Sequence, residues 1–152
     1  IDHLVSLLKY EAEEKRIRLD THVEEPLMRM CGDETHISQV LLNILVNAFQ
    51  AMPQGGVCSV EAGVCEEGAR DWIQMTVRDT GVGIKDEELP RLFDPFFTTK
   101  SNGGGLGLAI AYRIVQDHGG TIEVASQPGA GTTVVVQFPA VSSEKPTMAV
   151  ER

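Results

Sequence analysis

The strongest constraint on the fold is an apolar stripe of helical period between residues 33 and 53. Its members recur at spacings of three and four residues: Ile37, Val40, Leu41, Ile44, Leu45 and Ala48. This spacing places them on one face of a helix, and that face must be buried against another layer. Asp33 can cap the first N–H groups, and Pro53-Gln54-Gly55-Gly56 ends the pattern. The segment therefore predicts a long helix that packs on a core.

Segments of period two surround this helix. Strands are predicted at residues 17–23, 27–31, 57–65, 72–79, 121–126 and 132–138. A shorter helix is expected at residues 4–14 and a second strong helix at about 105–118. This order favours an α+β fold, a two-layer sandwich of about three helices on one face of a mixed β-sheet.

The composition is typical of one soluble globular domain. The 152 residues are 42% hydrophobic with a net charge of −9, which disfavours nucleic-acid binding. There is neither an apolar run long enough for a bilayer nor a signal-peptide pattern, so a cytoplasmic location is expected. Cys31, Cys58 and Cys65 lack metal-ligand spacing and are interpreted as reduced core or strand residues. Because the chain starts at Ile1, we expect it to be a fragment of a longer protein.

Asp79 is the most informative polar residue, because it shares a strand face with three apolar side chains. Ile73, Met75 and Val77 alternate onto that face and are expected to point to the core. A carboxylate there is costly unless it is hydrogen-bonded. It either caps the turn Thr80-Gly81 or holds the amino group of a flat ligand such as adenine. The string Asp79-Thr80-Gly81-Val82-Gly83 would let the backbone approach that ligand.

A second glycine cluster, Gly103-Gly104-Gly105-Leu106-Gly107-Leu108, opens into the second strong helix. Backbone N–H groups at a helix start bind anions where no side chain intervenes. Alone, such a cluster is more often a flexible linker with a helix cap. With Asp79 upstream, phosphate binding becomes the better interpretation. The cluster is neither a Walker loop nor a dinucleotide fingerprint, because it lacks Gly-Lys-Ser/Thr and does not follow a strand.

Two asparagines flank the apolar stripe of the long helix. Asn43 and Asn47 lie one turn apart, at the lip of a possible pocket. An amide oxygen is a suitable ligand for Mg²⁺, which keeps few protein ligands beside phosphates and water. The alternative is that both are solvated helix residues. His36, two turns before Asn43, is interpreted as a surface residue.

Residues 90–102, which we call the lid, contain three of the five phenylalanines. Leu92-Phe93-Asp94-Pro95-Phe96-Phe97-Thr98-Thr99-Lys100 is either a buried hydrophobic plug or a segment that closes over a ligand, with Lys100 near phosphate. The glycines that follow leave few fixed dihedral angles, so the lid is expected to be mobile without ligand.

These four segments, in this order, resemble the conserved boxes of sensor histidine kinases. Residues 39–48 are similar to the N box, 79–83 to the first glycine box, 92–97 to the F box and 103–108 to the second glycine box. The similarity extends from about residue 9 to 138. The wider superfamily includes DNA gyrase, the ninety-kilodalton heat-shock chaperones and a mismatch-repair protein. The Phe-Phe-Thr-Thr-Lys ending is similar to the nitrogen-regulation subgroup.

The resemblance implies a Bergerat-type fold that binds ATP and Mg²⁺. It implies that Asn47 ligates Mg²⁺, that Asn43 lies beside the phosphates, and that Asp79 holds the adenine amino group. Asn43 and Lys100 become the candidate catalytic residues. The remaining candidate nucleotide-binding residues are Gly81, Gly83, Phe96, Gly103, Gly104, Gly105, Leu106, Gly107 and Leu108.

The resemblance also implies partners. The γ-phosphoryl group would go to a histidine on a separate dimerisation domain of the same parent protein, with a response regulator downstream and no nucleic-acid or direct membrane contact. Residues 1–14 would end a preceding helix, 15–139 form the ATP-binding catalytic domain, and 140–152 a flexible tail. The family's acceptor histidine precedes an acidic residue. None of this chain's four histidines does, so the acceptor is expected elsewhere.

Two departures from the family pattern and three alternative functions remain. Many members carry lysine or arginine where this chain has Gln50, and Gly104 adds a glycine that loosens the lid hinge. ATP-hydrolysing members carry a glutamate at the position of Asn43, and asparagine cannot act as a base at pH 7. A serine kinase of the anti-sigma type would phosphorylate a protein serine. A non-catalytic nucleotide-sensing module would only couple ATP occupancy to a partner.

Overall fold

Three α-helices and five β-strands form the part of the chain that the computed structural model describes, residues 2–25, 30–101 and 103–141. The helices are α1 (Asp2–Glu14), α2 (Glu34–Gln50) and α3 (Gly107–Asp117). The strands are β1 (Ile17–Val23), β2 (Gly56–Glu67), β3 (Arg70–Asp79), β4 (Thr121–Gln127) and β5 (Gly131–Pro139). A 3-10 turn spans Leu89–Arg91. Within these ranges, every helix is too short or too polar to cross a bilayer.

The five strands form one mixed sheet in the order β1-β2-β3-β5-β4. β1 and β2 are parallel and are connected through α2, whereas the other neighbours are antiparallel. Alternate residues of the inner strands are buried in a single core with side chains from the helices. The predicted class, a two-layer α+β sandwich with three helices on one face of a mixed sheet, is confirmed.

The predicted apolar stripe of α2 is the centre of that core. Its buried residues are Val40, Leu41, Ile44, Leu45, Ala48 and Phe49. α1 contributes Leu8 and Ala12, so this first helix packs on the same core. Asp33 caps α2 as predicted: its Oδ1 accepts a 2.8 Å hydrogen bond from the Thr35 amide, and that bond lowers the pKa of Asp33.

The short strand predicted at residues 27–31 is only partly testable, because residues 26–29 lie outside the described ranges. Met30 forms a single antiparallel bridge with Ala140, and Cys31 is exposed outside any strand. The interpretation of Cys31 as a core or strand residue was therefore wrong. Residues 31–33 turn towards the α2 cap, which leaves the Cys31 thiol outside the sheet.

The other two cysteines lie in β2, as the strand interpretation predicted. Cys58 is buried, and burial raises the pKa of its thiol to about 12, so it is inert at neutral pH. Cys65 is half-buried.

Ala140 is the first residue of the predicted tail, 140–152. Ala140 donates to the Asp71 carbonyl at 2.9 Å in addition to its bridge with Met30, so it is still attached to the sheet. Residues 142–152 lie outside the described ranges.

Candidate functional site

Asp79 stands at the end of β3 on the core-facing side, where its side chain is only 9% exposed. Its Oδ1 accepts a 2.8 Å hydrogen bond from the Gly81 amide, and the Thr132 backbone also hydrogen-bonds the carboxylate. Burial raises the pKa of Asp79, while these bonds and the Lys100 ammonium act in the opposite direction. The turn contact of the simpler interpretation is thus present. An ionised carboxylate has further acceptor sites, so the contact leaves capacity for a ligand.

The first glycine segment, residues 79–83, is a tight turn that is hydrogen-bonded both to the end of α2 and to the turn between β4 and β5. The Val82 amide donates to the Ala51 carbonyl at 2.9 Å, and the Val82 carbonyl accepts from Gly129 at 2.8 Å. Gly83 has a φ of +73°, and the backbone of Gln127 occupies the space that a Cβ would need. Only glycine fits there. Gly83 therefore shapes the turn beside Asp79.

Two hydroxyl residues brace this turn, and the sequence analysis missed both. Ser126 Oγ accepts a 2.8 Å hydrogen bond from the Ile84 amide and lies 2.8 Å from Thr132 Oγ1. Thr132 is buried on the core-facing side of β5, next to the apolar Val134 and Val136. A polar residue inside that alternation was the available signal.

The two asparagines of α2 are half-buried on the same side of the helix, as predicted. Asn43 Nδ2 is buried and lacks a hydrogen-bond partner among the described residues. It lies near the start of α3: a Cβ added to Gly107 would be 3.8 Å from Asn43 Cγ. A buried unpaired donor costs about 1–3 kcal/mol, so this amide favours binding of an acceptor group.

Lys100 reaches from the lid to α2. Its Nζ lies 3.1 Å from Asn47 Oδ1 and 2.8 Å from Gln50 Oε1. Burial lowers the pKa of Lys100, and the Asp79 carboxylate partly opposes that shift. Lys100, which was predicted to lie near phosphate, is therefore held beside the asparagines of α2. Gln50, which the sequence analysis treated only as a departure from the family pattern, is a direct partner of Lys100.

The three lid phenylalanines have different surroundings. Phe93 packs against the core and stacks on Tyr112 with ring centroids 5.0 Å apart, which matches the plug interpretation. Phe97 lies 4.5 Å beneath the Arg91 guanidinium. Phe96 is 75% exposed, has a φ of +67°, and its amide donates to the Gly105 carbonyl at 2.9 Å. Phe93 thus anchors the lid to the core, while the side chain of Phe96 is exposed to solvent.

The second glycine cluster leads into α3, which starts at Gly107, two residues later than predicted. The reason is Gly105, whose φ of +67° is incompatible with an α-helix. Over the described residues, Leu106 gives α3 no side-chain cap, so its first amides are available to an anion. The side chain of Leu108 packs against the core, so a contact of this residue with a ligand would involve its backbone.

A metal ion at this site would find few ligands among the acidic and imidazole side chains of the described residues. In residues 2–25, 30–101 and 103–141, no group of three or more His, Cys, Asp or Glu is placed to hold a metal ion. A cation here would rely on an amide oxygen and on oxygens of a bound anion. That donor set fits Mg²⁺, which keeps few protein ligands. His36 is exposed, as predicted, with its ring 5.9 Å from that of His118.

Comparison with known proteins identifies the family of the chain. Residues 32–142 match the family described as histidine kinase-, DNA gyrase B-, and HSP90-like ATPase. Sensor histidine kinase ZraS of Escherichia coli (strain K12) is 42% identical over 91% of the chain, and the match covers 29% of ZraS. Sporulation kinase A of Bacillus subtilis (strain 168) is 35% identical over 91% of the chain, which covers 22% of that kinase. The chain therefore spans less than a third of these curated relatives.

Solved structures give the same result. The mycobacterial sensor histidine kinase MprB superposes with a TM-score of 0.77 and 28% identity, covering 91% of each chain. Full-length ShkA in complex with AMPPNP superposes with a TM-score of 0.80 and 29% identity, over 93% of this chain and 29% of ShkA.

Proposed function

We propose that this chain, which belongs to the histidine kinase-, DNA gyrase B-, and HSP90-like ATPase family, binds Mg-ATP and donates the γ-phosphoryl group. The acceptor would be a histidine on the dimerisation domain of a longer sensor kinase. One observation carries the proposal: Asn43 Nδ2, which is buried and has no hydrogen-bond partner among the described residues, lies near the start of α3, where those residues provide no side-chain cap. A phosphate oxygen would satisfy both.

The residues around the site have the properties that each part of ATP needs. The buried Asp79 carboxylate would accept from the adenine amino group, which guanine lacks at that position. The amides at the start of α3 and the Lys100 ammonium would hold phosphates. Asn47 Oδ1 would bind Mg²⁺, whose charge would offset that of the phosphates. Since this oxygen now accepts from Lys100, the ammonium would have to yield its place on Asn47.

Phosphoryl transfer depends mainly on positioning and charge stabilisation. Asn43 can donate or accept a hydrogen bond, but it cannot take a proton from water at neutral pH. Hydrolysis is therefore disfavoured. The base that activates the acceptor would belong to the domain that carries the acceptor histidine.

The domain organisation follows from the same proposal. Residues 15–139 would be the catalytic domain, and 1–14 would end a helix from the dimerisation domain. The burial of Leu8 and Ala12 would fix the direction in which that helix leaves the core. A response regulator would receive the phosphoryl group downstream, in the cytoplasm.

The test is transfer of radiolabel from the γ-phosphate of ATP. The chain is incubated with and without the separately prepared acceptor domain of its parent protein. We expect acid-labile, base-stable label on the acceptor and none on the chain, because none of its four histidines precedes an acidic residue. Asn43→Ala should lose transfer, whereas Gln116→Ala, on the exposed side of α3, should not.

Other outcomes would identify the alternatives. Release of free phosphate at the rate of ATP consumption would indicate a hydrolysing member of the family. ATP binding with neither transfer nor hydrolysis would indicate a nucleotide-sensing module. Label on a serine of a partner protein would indicate a serine kinase.

A further inference from the structure

The lid and α2 are joined by one cation held between two neutral amides, an arrangement we call the Lys100 bridge. Lys100 Nζ donates to Asn47 Oδ1 at 3.1 Å and to Gln50 Oε1 at 2.8 Å. Fifty residues separate Gln50 from Lys100, so the bridge ties the lid to the last turn of α2. Lys100 is half-buried and Gln50 exposed.

The two acceptors of the bridge are not equivalent. Asn47 Oδ1 is the oxygen that the proposed function gives to Mg²⁺. An ammonium and a divalent cation on one oxygen would repel each other. Gln50 lies almost one helical turn beyond Asn47, and it can keep the ammonium while Asn47 changes partner.

We propose that Gln50 is a positioning residue that keeps the Lys100 ammonium at α2 when a metal takes the oxygen of Asn47, so that the lid closes with its cation beside the phosphates. The phosphate part of this inference rests on the proposed function. The bridge itself is formed by side chains of this chain alone and can be tested without nucleotide.

The chemistry of glutamine suits this role. An ammonium has three donors, and the bridge uses two of them, so a third can reach a phosphate oxygen. The Gln50 oxygen accepts a hydrogen bond without neutralising the ammonium. A carboxylate at position 50 would hold Lys100 more firmly but would repel phosphate, and an apolar side chain would not hold it.

The experiment compares Gln50→Leu and Gln50→Glu with the native chain and with Gln116→Leu, a matched change near the end of α3. The digestion with trypsin is carried out without nucleotide and followed by mass spectrometry. The quantity measured is the rate of cleavage after Lys100 relative to cleavage after Lys85, which is exposed and lies outside the lid. Cleavage reports the population of the opened lid. We expect about a fivefold increase for Gln50→Leu, the effect of one lost hydrogen bond, a decrease for Gln50→Glu and no change for Gln116→Leu.

A second measurement separates the bridge from its proposed use. Mg-ATP affinity should fall about fivefold in Gln50→Leu and should also fall in Gln50→Glu. Both variants should bind more weakly, although lid opening should increase in Gln50→Leu and decrease in Gln50→Glu. An unchanged Lys100 cleavage rate in Gln50→Leu would overturn the bridge. Unchanged Mg-ATP affinity in that variant would overturn the positioning role. If the native chain does not bind ATP at all, the proposed function fails, and the nucleotide-free digestion still decides the bridge.

Discussion

At the scale of single residues, Asp79 combines a structural cost with a proposed role in nucleotide binding. Its carboxylate is buried at the end of β3, and burial raises its pKa. Between the unfolded and the raised folded pKa, the folded chain binds more protons than the unfolded one. The contribution of Asp79 to the free energy of unfolding is therefore fully present below about pH 4, and it is lost as the pH rises through the folded pKa.

We predict that Asp79→Asn stabilises the chain at pH 7 while it weakens ATP binding. The neutral amide removes the buried charge, for a gain of about 1 kcal/mol, or about 2–4 °C in melting temperature. ATP affinity should fall about ten- to a hundredfold, since a charged hydrogen bond is lost. Thermal unfolding between pH 4 and 8 and calorimetric titration measure the two effects.

Asp86→Asn is the matched control for that prediction. Asp86 is exposed outside the helices and strands, and its substitution should leave both melting temperature and affinity unchanged. A lower melting temperature for Asp79→Asn at pH 7 would mean that the Gly81 and Thr132 bonds outweigh the cost of the buried charge.

At the scale of elements, α2 has two separate functions. One face lies in the core, and the flank carries Asn43, Asn47 and Gln50. The geometry of the flank therefore depends on how firmly the core holds the helix. Leu45, which is fully buried, and Leu42, which is 36% exposed, test this on the same helix.

We predict that Leu45→Ala lowers the free energy of unfolding by about 2–5 kcal/mol and that Leu42→Ala lowers it by less than about 1 kcal/mol. The difference arises because only Leu45 leaves a cavity. Urea unfolding followed by circular dichroism measures both values. Similar losses in the two variants would show that the core does not hold α2 as described.

Sequence periodicity was sufficient for most elements but not for their ends. The stripe of α2 and its Asp33 cap were predicted correctly because both signals are local. The start of α3 was placed two residues early, since the left-handed φ of Gly105 is not encoded in any apolar pattern. The pairing of Met30 depends on Ala140, 110 positions along the chain, and no local signal reports such a partner.

At the scale of the whole molecule, the candidate site is formed by four segments that are distant in sequence. These are α2, residues 79–83, the lid and the start of α3. β5 lies between β3 and β4, and its Thr132 reaches the carboxylate of Asp79. The motifs indicated Asp79, the asparagines of α2 and Lys100 individually. They could not predict that Gln50 contacts Lys100 or that Ser126 supports Thr132, because these contacts depend on sheet order and lid path. Residue type predicted the chemistry, while topology determined the partners.

Nucleotide binding at this meeting point is tested most directly by calorimetric titration of the native chain with ATP and with GTP, each with and without Mg²⁺. We predict one ATP bound per chain, at least about tenfold tighter than GTP, because a hydrogen bond from the adenine amino group to the buried Asp79 carboxylate is worth more than about 1.4 kcal/mol. Chelation of Mg²⁺ should weaken ATP binding. Equal affinity for ATP and GTP would contradict the role of Asp79, and the absence of any ATP binding would contradict the site as a whole.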